Sequence, residues 1–355
     1  MATRLSGFTR ASSLGPIAEF MDAQGGSIDR VLRDVDLPFV LLEQPEIVVP
    51  LREQFRFLER AARETGDPYF GARLGQAVKS PALSAFGAWV CAADTLREAM
   101  RRAHAGLAVM LQTSTNLYVA QEGAGRLRWS IEFVEPETDG RHHNELLGVG
   151  YMMDTVRVYA GARWRPEVVM TALSRSEPRA ELERILGCNV AHGRAMSSIV
   201  FDAALLDRRH ARLAASPSAL FTVSSALVTV PAARGSRPEP PVPDKEDLLA
   251  TILTVAELAM HEGYPRIDWV ASKLGATRRS LQRYLQSQGT SFNRVVEDVL
   301  QRHAERYLRD GALSVTEIAL RLGYADPAHF TRAFRRWTGL APSAFRQREI
   351  SLYGG

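Results

Sequence analysis

The sequence predicts an α+β N-terminal domain, with helices packed on a small and mostly antiparallel sheet. An all-α domain follows, in which two helix-turn-helix motifs are joined by one long helix. Three observations carry this expectation. A six-residue pattern occurs twice in the last third of the chain, as Val270-Ala-Ser-Lys-Leu-Gly275 and as Ile318-Ala-Leu-Arg-Leu-Gly323. Apolar and polar residues alternate strictly over Arg126–Phe133, the period of a half-buried strand. Five prolines fall within residues 231–243, a composition that builds neither a helix nor a central strand. The expected limits are therefore 1–215 for the first domain, 216–245 for a Pro-rich linker and 246–355 for the second domain.

Over residues 11–64 the spacing is helical. Leu14, Ile17, Ala18 and Met21 make a stripe that Gly25-Gly26 ends, a short helix follows over 28–35, and a third begins near Leu51. A helix over 72–78 follows the turn Gly66-Asp67-Pro68. Thr95-Leu-Arg-Glu98 has capping-box spacing and opens a longer helix that buries Leu96, Met100, Ala103, Leu107 and Met110. The pattern then changes to strands. Leu127, Trp129, Ile131 and Phe133 share one face, 117–119 supplies a hairpin partner across Gly123 and Gly125, and 167–173, 188–190 and 199–201 complete the sheet. Helices over 144–160 and 177–186 lie between these strands and pack on the sheet.

In the second domain Leu248, Leu249, Ile252, Val255, Ala256 and Ala259 recur at helical spacing and are expected to pack beneath the first motif. There Thr277 caps a helix whose Leu281 and Leu285 face inward, which leaves Arg278, Arg279, Gln282 and Arg283 outward. In the second motif Ser314-Val-Thr-Glu317 has capping-box spacing and Gly323 suits a left-handed helix end. Asp326-Pro327 then opens a helix with a cap and a proline at the first helical position. Phe330, Ala333, Phe334 and Trp337 form its buried face, and Ala328, Thr331, Arg332, Arg335 and Arg336 fall elsewhere. Between the motifs, apolar residues from Phe292 to Leu308 define one amphipathic helix of about 19 residues, roughly 28 Å long against the ~34 Å repeat of the major groove.

Composition narrows the function classes. With 355 residues and 46% hydrophobic content the chain can bury packed cores. Its two cysteines, Cys91 and Cys188, match no metal or redox spacing and point to a reducing cytoplasm. Neither a signal-peptide pattern nor an apolar run long enough to span a bilayer is present, so a soluble cytoplasmic protein is expected. The net charge of +4 is unevenly placed: residues 266–355 hold 15 Lys+Arg against 8 Asp+Glu, whereas residues 1–265 hold 29 against 32. Positive charge confined to the C-terminal third, mostly as arginine, is what phosphate contact requires. A hydrolase module would need a nucleophile elbow, and no Gly-x-Ser-x-Gly occurs. No catalytic residue, cofactor or metal is assigned: His104, His142, His143 and His192 could suggest a metal site, but adjacent histidines in a polar turn are mostly solvated.

Residues 248–348 resemble the DNA-binding domain of the AraC/XylS family of bacterial transcription regulators. The resemblance is carried by Gly323-Tyr324, Asp326, His329-Phe330, Arg332, Phe334-Arg335-Arg336, Gly339, Pro342 and Phe345-Arg346. Two departures stand out: Ala341 precedes Pro342 where the family has Ser or Thr, and Pro327-Ala328 leave the second motif without long polar side chains at its start. Residues 12–210 resemble the arabinose-binding-like domain of the subgroup with ornithine-utilisation and virulence regulators, through the run from Gly66 to Gly75, Leu186-Gly187-Cys188, and the run from Ile199 to Leu206. The resemblance implies a ligand-responsive, dimerising first domain, a small-molecule effector, double-stranded DNA operators and contact with RNA polymerase. The expected function is an effector-controlled, sequence-specific regulator rather than an enzyme. The competing expectations are a constitutive regulator whose first domain only dimerises, and a DNA-binding domain fused to an enzyme module.

Arg279, Gln282 and Arg283 are the expected base readers, because arginine bonds guanine and glutamine bonds adenine in pairs, each worth roughly 1–3 kcal/mol of discrimination. Arg278 lies nearer phosphate. Ala328 and Thr331 can at most touch a thymine methyl, so Arg332, Arg335, Arg336 and Arg346 are expected to supply affinity more than sequence information. For a ligand, Trp89, Trp129, Phe133 and Tyr151 are the residues that could line an apolar pocket, with core packing the competing role for each.

Overall fold

The computed structural model describes residues 6–135, 138–210, 242–243, 247–261 and 263–353. Its contacts divide the chain into two compact units, Ser6–Lys245 and Glu246–Gly355. Of the Pro-rich stretch expected over 216–245, all but Val242 and Pro243 lies outside the described residues.

The first unit opens with a short strand, β1 (Phe8–Arg10), which pairs antiparallel with β2 (Val48–Pro50). Between them run a 3₁₀ turn at Ala11–Leu14 and three helices, α1 (Ile17–Ala23), α2 (Ile28–Asp34) and α3 (Val40–Glu43). The apolar stripe that starts at Leu14 is therefore split, because Gly15 at φ +65° and Pro16 interrupt the helical ladder. α4 (Leu51–Thr65) follows β2 directly and stops at Gly66, whose φ of 66° is the left-handed end that glycine adopts freely. Then come α5 (Phe70–Ala77), α6 (Ser80–Leu83), α7 (Ala85–Cys91) and α8 (Leu96–Gly106). Thr95 caps α8 by accepting from the Glu98 N–H, and the helix runs on into a π-helical turn at Leu107–Leu111.

The main sheet is assembled from β3 (Thr115–Gln121) and β4 (Arg126–Phe133), a hairpin, with three later strands. α9 (Arg141–Ala160) leads to β5 (Val168–Met170), and α10 (Ala180–Leu186) leads to β6 (Asn189–Ala191) and β7 (Ser197–Asp202). The order is β3-β4-β7-β5-β6, antiparallel throughout except for the parallel pair β5–β6. Trp129, Ile131 and Phe133 are buried from β4, and they pack with Leu146, Val149 and Met153 of α9. α5 and α9 cross backbone to backbone: a Cβ on Gly150 would lie 2.4 Å from the Gly75 Cα, and one on Gly71 would collide with the His143 carbonyl.

The second unit is helical: α11 (Leu248–Ala259), α12 (Ile267–Lys273), α13 (Arg278–Ser287), α14 (Phe292–Asp310), α15 (Val315–Arg321), α16 (Pro327–Thr338) and α17 (Pro342–Tyr353). α14 packs against α11 and also against α15, α16 and α17. Its Val296, Leu300, Ala304 and Leu308 meet Ile318, Leu322, Phe330, Phe334 and Phe345 in one apolar cluster. Among the described residues no helix is long and apolar enough to cross a membrane.

Candidate nucleic-acid interface and ligand cavity

α13 starts where Thr277 Oγ1 accepts from the Ser280 N–H at 3.1 Å. Leu281 and Leu285 are buried, so the helix turns its other faces to solvent and leaves Arg278, Arg279, Gln282 and Arg283 exposed. Arg278 lies 3.3 Å from the Asp268 carboxylate. Arg279, Gln282 and Arg283 have no side-chain partner among the described residues.

α16 is built the same way. Asp326 Oδ1 accepts from the Ala328 N–H at 2.8 Å, Pro327 takes the first helical position, and Gly339 at φ +78° ends the helix. The reciprocal capping box between Ser314 and Glu317 holds the start of α15. Phe330, Ala333 and Phe334 are buried, and Ala328, Arg332, Arg335 and Arg336 are exposed. Thr331 is half-buried, and its hydroxyl donates to the Pro327 carbonyl at 2.9 Å. Arg336 donates to Glu297 of α14, whereas Arg332 and Arg335 have no partner among the described residues. Arg346, expected at phosphate, is half-buried and donates to the Leu313 carbonyl. Elsewhere in this unit arginines are engaged: Arg294 with Glu297 and Asp298, Arg302 with Glu257, Arg309 with Glu305 and Glu349. Arg266 is likewise unpaired among the described residues, whereas the charge of Arg321 acts on the Glu317 carboxylate.

In the first unit a cavity of about 100 Å³ lies between β4 and α7, α8 and α9. Trp129, Ile131 and Phe133 line it from the sheet, Leu107 and Leu111 from the π-helical turn, and Tyr151 and Met152 from α9. Among the described residues no Asp, Glu, Lys, Arg or His lines it. Its polar wall is bonded internally. Ser13 Oγ donates to Gln54 Oε1 at 2.7 Å, Gln54 Nε2 donates to Asn144 Oδ1 at 2.7 Å, and the Tyr151 hydroxyl donates to the Ser13 carbonyl at 2.9 Å. Burial, with Asp154 nearby, pushes the Tyr151 phenol well above its ordinary range, so it is neutral. The Trp129 indole Nε1 is buried with no partner among the described residues.

Three of the four aromatic residues expected at a pocket are thus brought together. Trp89 is not among them; it lies away from the cavity with the Arg102 guanidinium over its ring at 5.6 Å. Gln54, Asn144 and Ser13 were missed, and the signal for them was a polar side chain at a buried position of an otherwise apolar helical stripe.

The adjacent histidines differ from expectation. His143 is only 2% exposed, and burial together with His142 pushes its imidazole down to about 3. Glu59, His142 and His143 bring possible ligand atoms within 4.8 Å of one another. His143 Nδ1 accepts from the Gly71 N–H at 3.4 Å, however, and its Nε2 lies 3.7 Å from Glu59. A metal on Nε2 needs a proton on Nδ1, which that N–H opposes, so the trio fits a metal poorly.

A model described as the arabinose-binding domain of AraC transcription regulators matches residues 25–210, more than half of the chain. The chain belongs to the AraC family of transcription regulators. A helix-turn-helix domain model matches residues 270–348 of this regulator. The HTH-type transcriptional regulator VirS of Mycobacterium tuberculosis is 24% identical over 353 residues, 99% of this chain and 98% of that protein. The ornithine utilization regulator of Pseudomonas aeruginosa is 40% identical over 104 residues, which span 29% of this chain and 31% of that protein. Among solved structures, the transcriptional regulator CdpR of Pseudomonas aeruginosa aligns over 78% of this chain and 86% of that one, at 20% identity and a TM-score of 0.32. The AraC-family regulator is therefore a DNA-binding protein with an arabinose-binding-like N-terminal domain.

Proposed function

We propose that the regulator reads operator DNA through two helix-turn-helix motifs, α12–α13 and α15–α16, spaced by α14. The observation that carries this reading is the unpaired state of Arg279, Arg283, Arg332 and Arg335 on the outward faces of α13 and α16. An arginine already bonded to a carboxylate gives up that bond to reach phosphate; these four do not. Arg279, Gln282 and Arg283 read base edges, Arg278 contacts phosphate, Arg332, Arg335 and Arg336 hold the second motif on the backbone, and Ala328 and Thr331 at most touch a thymine methyl. The 19 residues of α14 span about 28 Å. That length suits entry into successive major grooves, ~34 Å apart, on one side of the duplex.

The first unit, in this reading, binds a small-molecule effector and joins two copies of the chain. Occupancy then decides whether paired sites are filled and RNA polymerase is contacted. The matching model's description names arabinose, but a sugar carries a hydroxyl on most carbons and the polar groups around the cavity are largely bonded to one another, so the proposal does not extend to a sugar. No catalytic role is proposed.

Fluorescence anisotropy of the full-length protein on its own upstream intergenic DNA, across a salt series, tests the operator reading. Tight binding that weakens steeply with salt and discriminates against random DNA is expected. Equal affinity for random DNA would overturn it.

A further inference from the structure

We propose that the cavity of the first unit takes a small uncharged molecule, the size of one aromatic ring or a short aliphatic chain. The inference rests on the reading that this unit senses an effector, and it names the chemical class.

Charge is excluded by the lining. With no Asp, Glu, Lys, Arg or His around the cavity among the described residues, a carboxylate or ammonium would be buried there without a counter-charge. Polarity is limited in the same way, since Ser13, Gln54, Asn144 and Tyr151 already bond one another or the backbone. Two further polar residues of the lining are engaged as well: Ser80 Oγ donates to the Tyr151 carbonyl at 3.3 Å and Gln112 Nε2 donates to Thr115 Oγ1 at 2.7 Å. Size follows from the volume, about 100 Å³, comparable to engineered apolar cavities that admit benzene. Small residues keep the space open: Ala103 and Gly148 both line it, and a Cβ on Gly148 would lie 3.1 Å from Ile131 Cδ1.

The cavity wall is also tied to the onward chain. Val109 lies in the π-helical turn whose Leu107 and Leu111 face the cavity, and its carbonyl accepts from the Val242 N–H at 3.2 Å. An occupant that moves this turn moves the anchor of the segment leading to the second unit.

Acetophenone, isopropylbenzene and benzoate are nearly equal in size and offer a carbonyl, no acceptor and a charge, respectively. Calorimetric titration of each into the full-length wild type and Ala103→Leu decides the matter. Both neutral compounds should bind the wild type, and benzoate should not bind. Ala103→Leu should exclude the neutral compounds by filling the space. Benzoate binding as tightly as acetophenone, neutral compounds that bind Ala103→Leu as they bind the wild type, or no binding of either neutral compound would overturn the proposal. Should Ala103→Leu not fold, the wild-type ranking still decides it. Operator anisotropy with the same compounds separates the two readings. Acetophenone that binds without altering operator affinity defeats effector control by this class and leaves the cavity assignment standing. An operator response to charged or sugar ligands alone does the reverse.

Discussion

Whether an arginine holds a fold together or reaches beyond it depends on what lies within bonding distance. Arg309 is engaged with Glu305 and Glu349, and Arg346 with the Leu313 carbonyl, while Arg283 and Arg335 have no such partner among the described residues. Arg283→Ala should therefore cost operator affinity by about 1–3 kcal/mol, concentrated at one base pair. Arg335→Ala should weaken all sequences alike and reduce the slope of log affinity against log salt by about 1. Thr331 offers a sharper case. Its hydroxyl proton is committed to the Pro327 carbonyl, so Thr331→Val, which keeps the shape, should leave operator affinity within about twofold; selective loss at one base pair would mean that the hydroxyl leaves the helix to read. The outward positions were legible because helical spacing alone fixes which residues share a face. Arg346 was not, since its role is set by a carbonyl 33 residues away that no local pattern announces.

At the level of elements, the crossing of α5 and α9 depends on glycine for a reason of space. With Gly75 and Gly150 facing each other and Gly71 against the His143 backbone, the two helices approach more closely than any side chain allows. Gly150→Ala should destabilise the first unit by about 1–3 kcal/mol through overpacking, read as a fall of roughly 2–4 °C in melting temperature per kcal/mol. An unchanged melting temperature would mean that the crossing relaxes freely. Gly71 and Gly75 stood out in the sequence only as part of a family resemblance and Gly150 not at all, and their purpose appears once α9 is seen lying across α5. The length of α14 could be read directly, because Ser291 caps its start and Gly311, at φ +75°, ends it. β1 could not: three residues have no period, and their partner β2 lies far along the chain. α6 and α7 were missed for a similar reason, four and seven residues being too few to show a stripe.

Across the whole molecule, each unit buries a histidine that burial keeps neutral, His143 pushed down to about 3 and His303 to about 4. The unfolded chain takes up a proton at each near the ordinary histidine value of about 6.5, whereas the folded protein does not until much lower pH. Stability should thus be full above about pH 6.5 and fall as pH drops towards 4, by up to about 1.4 kcal/mol per pH unit for each histidine. Melting curves between pH 7.5 and about 4.5 check this, and His143→Gln should flatten the profile in part; identical profiles would remove His143 as a source. The unpaired arginines carry a consequence of the opposite kind. The second unit, residues 246–355, holds 15 basic against 12 acidic side chains, so it keeps a small net positive charge, and added salt should ease its self-repulsion and raise its melting temperature slightly. The exposed ion pairs that salt weakens in the same unit count for little against this. The same ions displace the protein from DNA. Stability and occupancy should therefore run in opposite directions along one salt axis, and the protein is sturdiest under the conditions in which it is least attached.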